Sequence, residues 1–170
     1  MLLMFCGCLA LPTRAFADEA SVAPEPGAAA KHEGPWVGGH VGFALPLMVF
    51  GKDSTFIGDS LGQLGLAPGI TVHLNERWAI DFETVAYADF MNDTSFFVVD
   101  PGVIYKFDML SLGLRMAVNT HALDNWGFIP IINKGWSVGL IKLFVELDLP
   151  TFITHREVTM AVQPQLGVAF

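Results

Sequence analysis

The feature that most constrains this chain is a period-two alternation of apolar residues. It recurs from Trp36 to Phe170, in a chain with no unbroken apolar run long enough to cross a membrane as a helix. Alternation of this period marks strands with one face turned to an apolar environment. A helical crossing needs about 18 to 20 consecutive apolar residues. The most apolar stretch, "GFIPIINKGWSVGLIKLFVELDL", is interrupted by Pro130, by the turn signal Asn133-Lys134-Gly135, and by Lys142 and Glu146. Yet the chain is 52% hydrophobic and only 15% charged, with mean hydropathy +0.49. Average proteins carry about a quarter charged residues. An apolar chain without a spanning helix has one other membrane solution, a closed β-barrel in which the ladder satisfies every backbone group.

Eight strands follow from the alternation, at about 36–46, 64–74, 78–89, 96–106, 110–119, 126–133, 136–148 and 157–170. In the third, Trp78, Ile80, Phe82 and Thr84 face away from Asp81, Glu83, Val85 and Tyr87. In the fifth, Leu110, Leu112, Leu114 and Met116 oppose Ser111, Gly113, Arg115 and Ala117. The sixth alternates least. Short connections at 75–77, 107–108 and 134–135 are interleaved with the mostly longer stretches 47–63, 90–95, 120–125 and 149–156. Short turns on one rim and long loops on the other are the pattern of bacterial outer-membrane barrels.

Antiparallel pairing makes the register testable. Across 75–77, Thr71 falls opposite Asp81 and Gly69 opposite Glu83. Across a two-residue turn at 107–108, Asp100 falls opposite Arg115 and Gly102 opposite Gly113, which predicts an Asp100–Arg115 ion pair. The charged face is also the Gly/Ala/Ser face, as a narrow interior filled by side chains requires. The other face is large and nearly unbroken Leu, Val, Ile and Phe. A soluble sandwich or lipocalin-like barrel would invert the two faces and is the rival architecture. Trp36, Trp78, Tyr105, Trp136 and Phe170 fall at strand ends on the short-turn rim, like an aromatic girdle. By parity Trp36 and Trp136 fall on the inner face.

Residues 1–17 read as a signal peptide. An apolar core runs from Leu2 to Leu11, and Ala15-Phe16-Ala17 matches a cleavage site before Asp18, although no Lys or Arg precedes the core. Residues 18–35, rich in Ala, Pro and Glu, read as a disordered lead-in, and residues 36–170 as the barrel domain. Both cysteines, Cys6 and Cys8, lie in the leader, so the mature chain has no thiol for a disulfide or metal site. The net charge of −8 disfavours nucleic acid as a partner.

The inward set Asp81, Glu83, Asp100, Arg115, Lys142 and Glu146, with Asp148 and Gln163, reads as an interior polar network. It would be either a polar path through the barrel or a plug of paired charges. Eight strands leave room for little beyond side chains and buried charges must be paired, so the plug is the expectation. The histidines 32, 40, 73, 121 and 155 show no metal-ligand spacing, and no metal or other cofactor is expected. His121 and His155 fall near the long-loop rim, and only Thr151, Thr154 and Thr159 offer hydroxyls near His155. Loop 47–63 mixes apolar and polar residues and reads as a mobile surface loop.

On these residues the chain resembles the small eight-stranded outer-membrane β-barrel proteins of Gram-negative bacteria, over residues 36–170. The resemblance is carried by the leader, the eight alternating strands, the alternating turn lengths and the terminal "VQPQLGVAF". It implies that Val162, Leu166, Val168 and Phe170 form a C-terminal signal read by the outer-membrane assembly machinery. Pro164 departs from the large apolar residue usual there and lacks a ladder donor. The family includes inert anchors, adhesins, solute conduits and a few lipid-modifying enzymes such as lipid A deacylases. The resemblance therefore implies a location, the outer membrane, with its lipid and lipopolysaccharide as surroundings, and a fold, but no activity. The expected protein is a monomeric, non-enzymatic barrel that is structural or interacts through its loops. The alternatives are a lipid-modifying enzyme and a narrow conduit for small or apolar solutes.

Overall fold

A computed structural model describes residues 34–51, 62–121, 125–154 and 157–170. The leader, the lead-in up to residue 33, most of loop 47–63 and His155 lie outside the described residues. The described chain forms β1 (Trp36–Ala44), β2 (Met48–Phe50), β3 (Gln63–His73), β4 (Trp78–Asp89), β5 (Thr94–Lys106), β6 (Ser111–Asn119), β7 (Trp126–Val138), β8 (Ile141–Asp148), β9 (Thr151–Ile153) and β10 (Val158–Ala169). All neighbours are antiparallel, and β1 pairs with β10 from His40↔Ala169 to Ala44↔Gln165, which closes the sheet on itself.

The ten strands make eight staves. β1 and β2 share one stave, and both pair with β10 on either side of Leu45-Pro46-Leu47. β8 and β9 share another around Leu149-Pro150, both pairing with β7 and β10 in one continuous register. Parts of stretches 47–63, 90–95 and 149–156, expected as loops, are thus strand. Proline ended the alternation without ending the stave, because the ladder resumes one or two residues later. Pairing of β1 with β10 closes the main sheet, and among the described residues β2 pairs on one side only, with β10.

Register across 75–77 is as alternation predicts, with Thr71↔Asp81 and Gly69↔Glu83. Across the next short turn the register differs by two. Gly102 lies opposite Arg115 and Ile104 opposite Gly113, because the turn has four residues and closes with Phe107 N donating to Leu110 O at 2.8 Å. A shift of two preserves which face each residue occupies. It removes the expected cross-strand partner of Asp100.

The third short turn also moves. β7 runs through Asn133-Lys134-Gly135 to Val138, and Val138↔Ile141 flank a two-residue turn at Gly139-Leu140. Gly139 has φ +63°, the left-handed region that glycine enters at no steric cost. The shift flips the parity of Trp136. It lies opposite Leu143 on the outer wall, 48% exposed, rather than inside. The weak alternation of the sixth predicted strand also has a cause. Ile129 and Ile131 are buried inward while Phe128 and Ile132 face outward, so both faces are apolar.

Candidate functional site

Inward positions hold two zones. One is apolar, with Ala44, Ala67, Val85, Val98, Ala117, Ile129 and Ile131 buried together. The other is a charged cluster built around Arg115, only 2% exposed on β6. Its Nε and Nη2 reach Asp81 Oδ2 at 2.9 and 2.8 Å, and its Nη1 reaches Glu83 Oε1 at 3.0 Å and Glu146 Oε1 at 2.8 Å. Asp81 and Glu83 come from β4 and Glu146 from β8, so one guanidinium ties three staves across the lumen. Arginine suits this role because its five donors form a rigid fork and it keeps its charge when buried.

Neutral and histidine groups complete the cluster. Asn133 Nδ2 donates to Glu146 Oε2 at 2.8 Å, and Gln165 Nε2 to Glu83 Oε2 at 2.9 Å. Thr71 Oγ1 donates to Asp81 Oδ1 at 2.6 Å, so its oxygen accepts from His40 Nδ1 at 3.3 Å. His40 Nε2 faces Glu83 Oε2 at 3.0 Å. Only a protonated ring donates to both partners at once, which would make His40 a second cation in the cluster. Space for the long side chains comes from small residues. A Cβ on Gly102 would sit 2.6 Å from Arg115 Cγ, and one on Gly69 would collide with the His40 ring. This explains why the charged face is also the glycine face.

Of the six expected interior residues, Asp81, Glu83, Arg115 and Glu146 are brought together. Asp100 is buried, but neither carboxyl oxygen has a hydrogen-bond partner and no ion pair joins it to Arg115. The expected Asp100–Arg115 pair is corrected: the longer turn displaces Asp100 along the stave, and Arg115 spends its donors across the lumen. Lys142 is outside the cluster, exposed near the β7–β8 turn with its stem over Gly135. A separate chain runs from Tyr87 Oη to Gln163 Oε1 at 2.6 Å, and from Gln163 Nε2 to Asp148 Oδ2 at 3.2 Å. His40, Thr71 and Asn133 were not expected as partners. Thr71 lies opposite Asp81 in the register read from the sequence, Asn133 lies opposite Glu146 once the β7–β8 turn is placed correctly, and His40 reaches Glu83 across β3.

The outer wall is the complement. On the outward positions of the described strands, Lys134 is the only charged residue, and Phe43, Phe82, Leu114, Val145 and Leu166 are between 41% and 59% exposed. Trp78 and Tyr105 meet edge to face at 4.8 Å, as do Tyr105 and Phe107 at 4.7 Å, and Lys134 Nζ lies 5.8 Å from the Trp136 ring centre. These aromatics line the short-turn rim. Trp36 lies on the inward set at the same rim, stacked on His73 at 3.5 Å. Val162, Leu166, Val168 and Phe170 occupy the outward set of β10 and its end. Phe170 exchanges two backbone hydrogen bonds with Gly39, both 2.9 Å, and lays its ring over that glycine.

Ser95 and His121 line one shallow cleft of about 310 Å³ at the long-loop rim, with no side-chain hydrogen bond between them. Among the described residues no hydroxyl or carboxylate hydrogen-bonds the His121 ring, and no group of three or more His, Cys, Asp or Glu is placed to hold a metal.

Fold and site define a class: a closed, eight-staved β-barrel with a charged, cross-linked interior and an apolar exterior. Comparison with protein-family models, curated proteins and solved structures returned no match.

Proposed function

We propose that this chain is an outer-membrane β-barrel of a Gram-negative bacterium, exported by its leader. It acts as a non-enzymatic envelope protein, structural or interacting through its long loops. The observation that carries this is the inverted distribution of polarity. Exposed Phe, Leu, Ile and Val cover the outward set of every stave, while the fully buried large side chains include Glu83, Glu146, Asp81, Asp100 and Asp148. Water would leave that wall costly and bilayer hydrocarbon would not. A contiguous apolar surface of this extent exceeds what soluble monomers expose.

The plug argues against a conduit. Arg115 and its three carboxylates span the lumen from β4, β6 and β8, and the adjoining Ile129, Ile131 and Val98 fill the apolar zone. Planar-bilayer recording tests this. The expected result is no current above background after insertion of purified, folded protein. Reproducible single-channel steps would replace this reading with the conduit.

A further inference from the structure

Lys106 and Lys142 both take inward positions at the short-turn end of the barrel. Lys106 shares the parity of Asp100 and Gly102 on β5 and lies opposite Ser111 on β6. Lys142 shares the parity of Glu146 on β8 and lies opposite Ser137 on β7. Ser111 in turn lies opposite Asn133, one inward position from Gly135 on β7. Four consecutive strands thus bring two ammonium groups and two hydroxyls to one side of the inner mouth.

Gly135 sets how close the charges come. A Cβ there would collide with the Lys142 stem and lie 3.1 Å from its Nζ. The Lys142 ammonium therefore lies across β7, on the side of Ser111 and Lys106. The charge of Lys106 acts on Lys142, and both act on His73 of β3. Neither lysine forms an ion pair among the described residues, and neither serine has a side-chain hydrogen bond there. The turn carboxylates Glu76 and Asp108 act on Arg77 in the β3–β4 turn. Deeper in the lumen, Asp81, Glu83 and Glu146 are committed to Arg115. In a chain of net charge −8, one mouth thus holds a pair of like charges with no counter-charge of its own. Like charges held together repel, and a cleft of one sign between low-dielectric walls concentrates counter-ions.

We propose that this inner mouth binds a small, doubly charged tetrahedral oxyanion of the phosphate or sulfate type. Two negative charges match the two ammonium groups. Oxygens on several sides of one ion can accept from both lysines and both serines together. A monocarboxylate neutralises one lysine and leaves the other. Lysine suits such a site because its ammonium binds as a point charge and needs no planar partner. The assignment uses only the inward face, so it stands whether or not the outer wall meets lipid.

The test is phosphorus NMR of inorganic phosphate with the full-length chain folded in a neutral, phosphorus-free detergent. Mildly alkaline buffer keeps phosphate doubly charged and both lysines protonated. The parent protein should broaden the phosphate resonance. Sulfate should reverse the broadening, and acetate at the same ionic strength should not. A double variant, Lys106→Gln with Lys142→Gln, keeps both stems and should lose the broadening. Each single variant should weaken binding roughly two- to fivefold, the scale of one exposed ion pair. Lys134→Gln removes a lysine from the outward face of the same rim and should change nothing. Circular dichroism shows whether each variant is folded, and the single variants decide the matter if the double one is not. No broadening by the parent would overturn the proposal. So would reversal by acetate equal to that by sulfate, broadening that survives in folded lysine variants, or an equal loss in Lys134→Gln.

Discussion

β4 shows both environments of the barrel within four residues. Asp81 and Glu83 are sealed inside, at 0% and 1% exposed, while Ile80 and Phe82 between and beside them are each 48% exposed. A soluble protein arranges such residues the other way round. Inside, stability comes from directional hydrogen bonds between charges that must match one another in number and position. On the wall, under the proposed membrane reading, it would come from an unspecific match between apolar surface and bilayer hydrocarbon. The two faces should therefore respond differently to substitution: the interior to loss of a partner, the wall to gain of a charge.

The largest effect is expected at the hub. Arg115→Ala leaves Asp81, Glu83 and Glu146 facing one another without their shared cation. Breaking a buried network by removing one partner costs about 3–5 kcal/mol, to be read from urea unfolding of the protein folded into vesicles. A loss under about 1 kcal/mol would mean that the interior is solvated and the plug is not a plug. On the wall, Leu114→Arg places a charge mid-strand on the outward face of β6. In a bilayer it should cost about 2–4 kcal/mol at the midplane, read by the same unfolding. In a soluble barrel with this face in water the same change would cost nothing and improve solubility, so the result separates the two architectures. The smallest effect is expected at Asp100, buried like Asp81 but with no hydrogen-bond partner. Asp100→Asn should leave stability within about 1 kcal/mol of the parent, because neither carboxyl oxygen has a hydrogen bond to lose. A loss comparable to Arg115→Ala would show that Asp100 belongs to the network after all.

Much of this barrel was legible in the sequence because face assignment depends only on parity. Asp81, Glu83, Arg115 and Glu146 are inward whatever the turn lengths are, and the 75–77 hairpin fell in register because its apolar and polar residues alternate up to both sides of the turn. What alternation cannot supply is the number of residues in a turn. Assuming two residues at 107–108 displaced β6 by two and invented the Asp100–Arg115 pair. Asn133-Lys134-Gly135 has the composition of a turn, yet Asn133 faces inward to Glu146 and Gly135 leaves room for the Lys142 side chain. The real turn has one glycine and Leu140, too apolar to look like one. The contacts of Arg115 lay further out of reach. They link residues 31 to 34 positions apart across the lumen, and only closure decides which inward side chains meet there.

The proposed membrane location requires the outer wall to meet lipid. Its direct test is dilution of urea-unfolded chain into lipid vesicles or into lipid-free buffer, followed by gel electrophoresis with and without boiling. The expected result is a band whose mobility changes on boiling, formed only in the presence of vesicles, with β-sheet circular dichroism appearing in the same samples. A monodisperse, folded monomer in lipid-free buffer, with no heat-dependent band from vesicles, would contradict it.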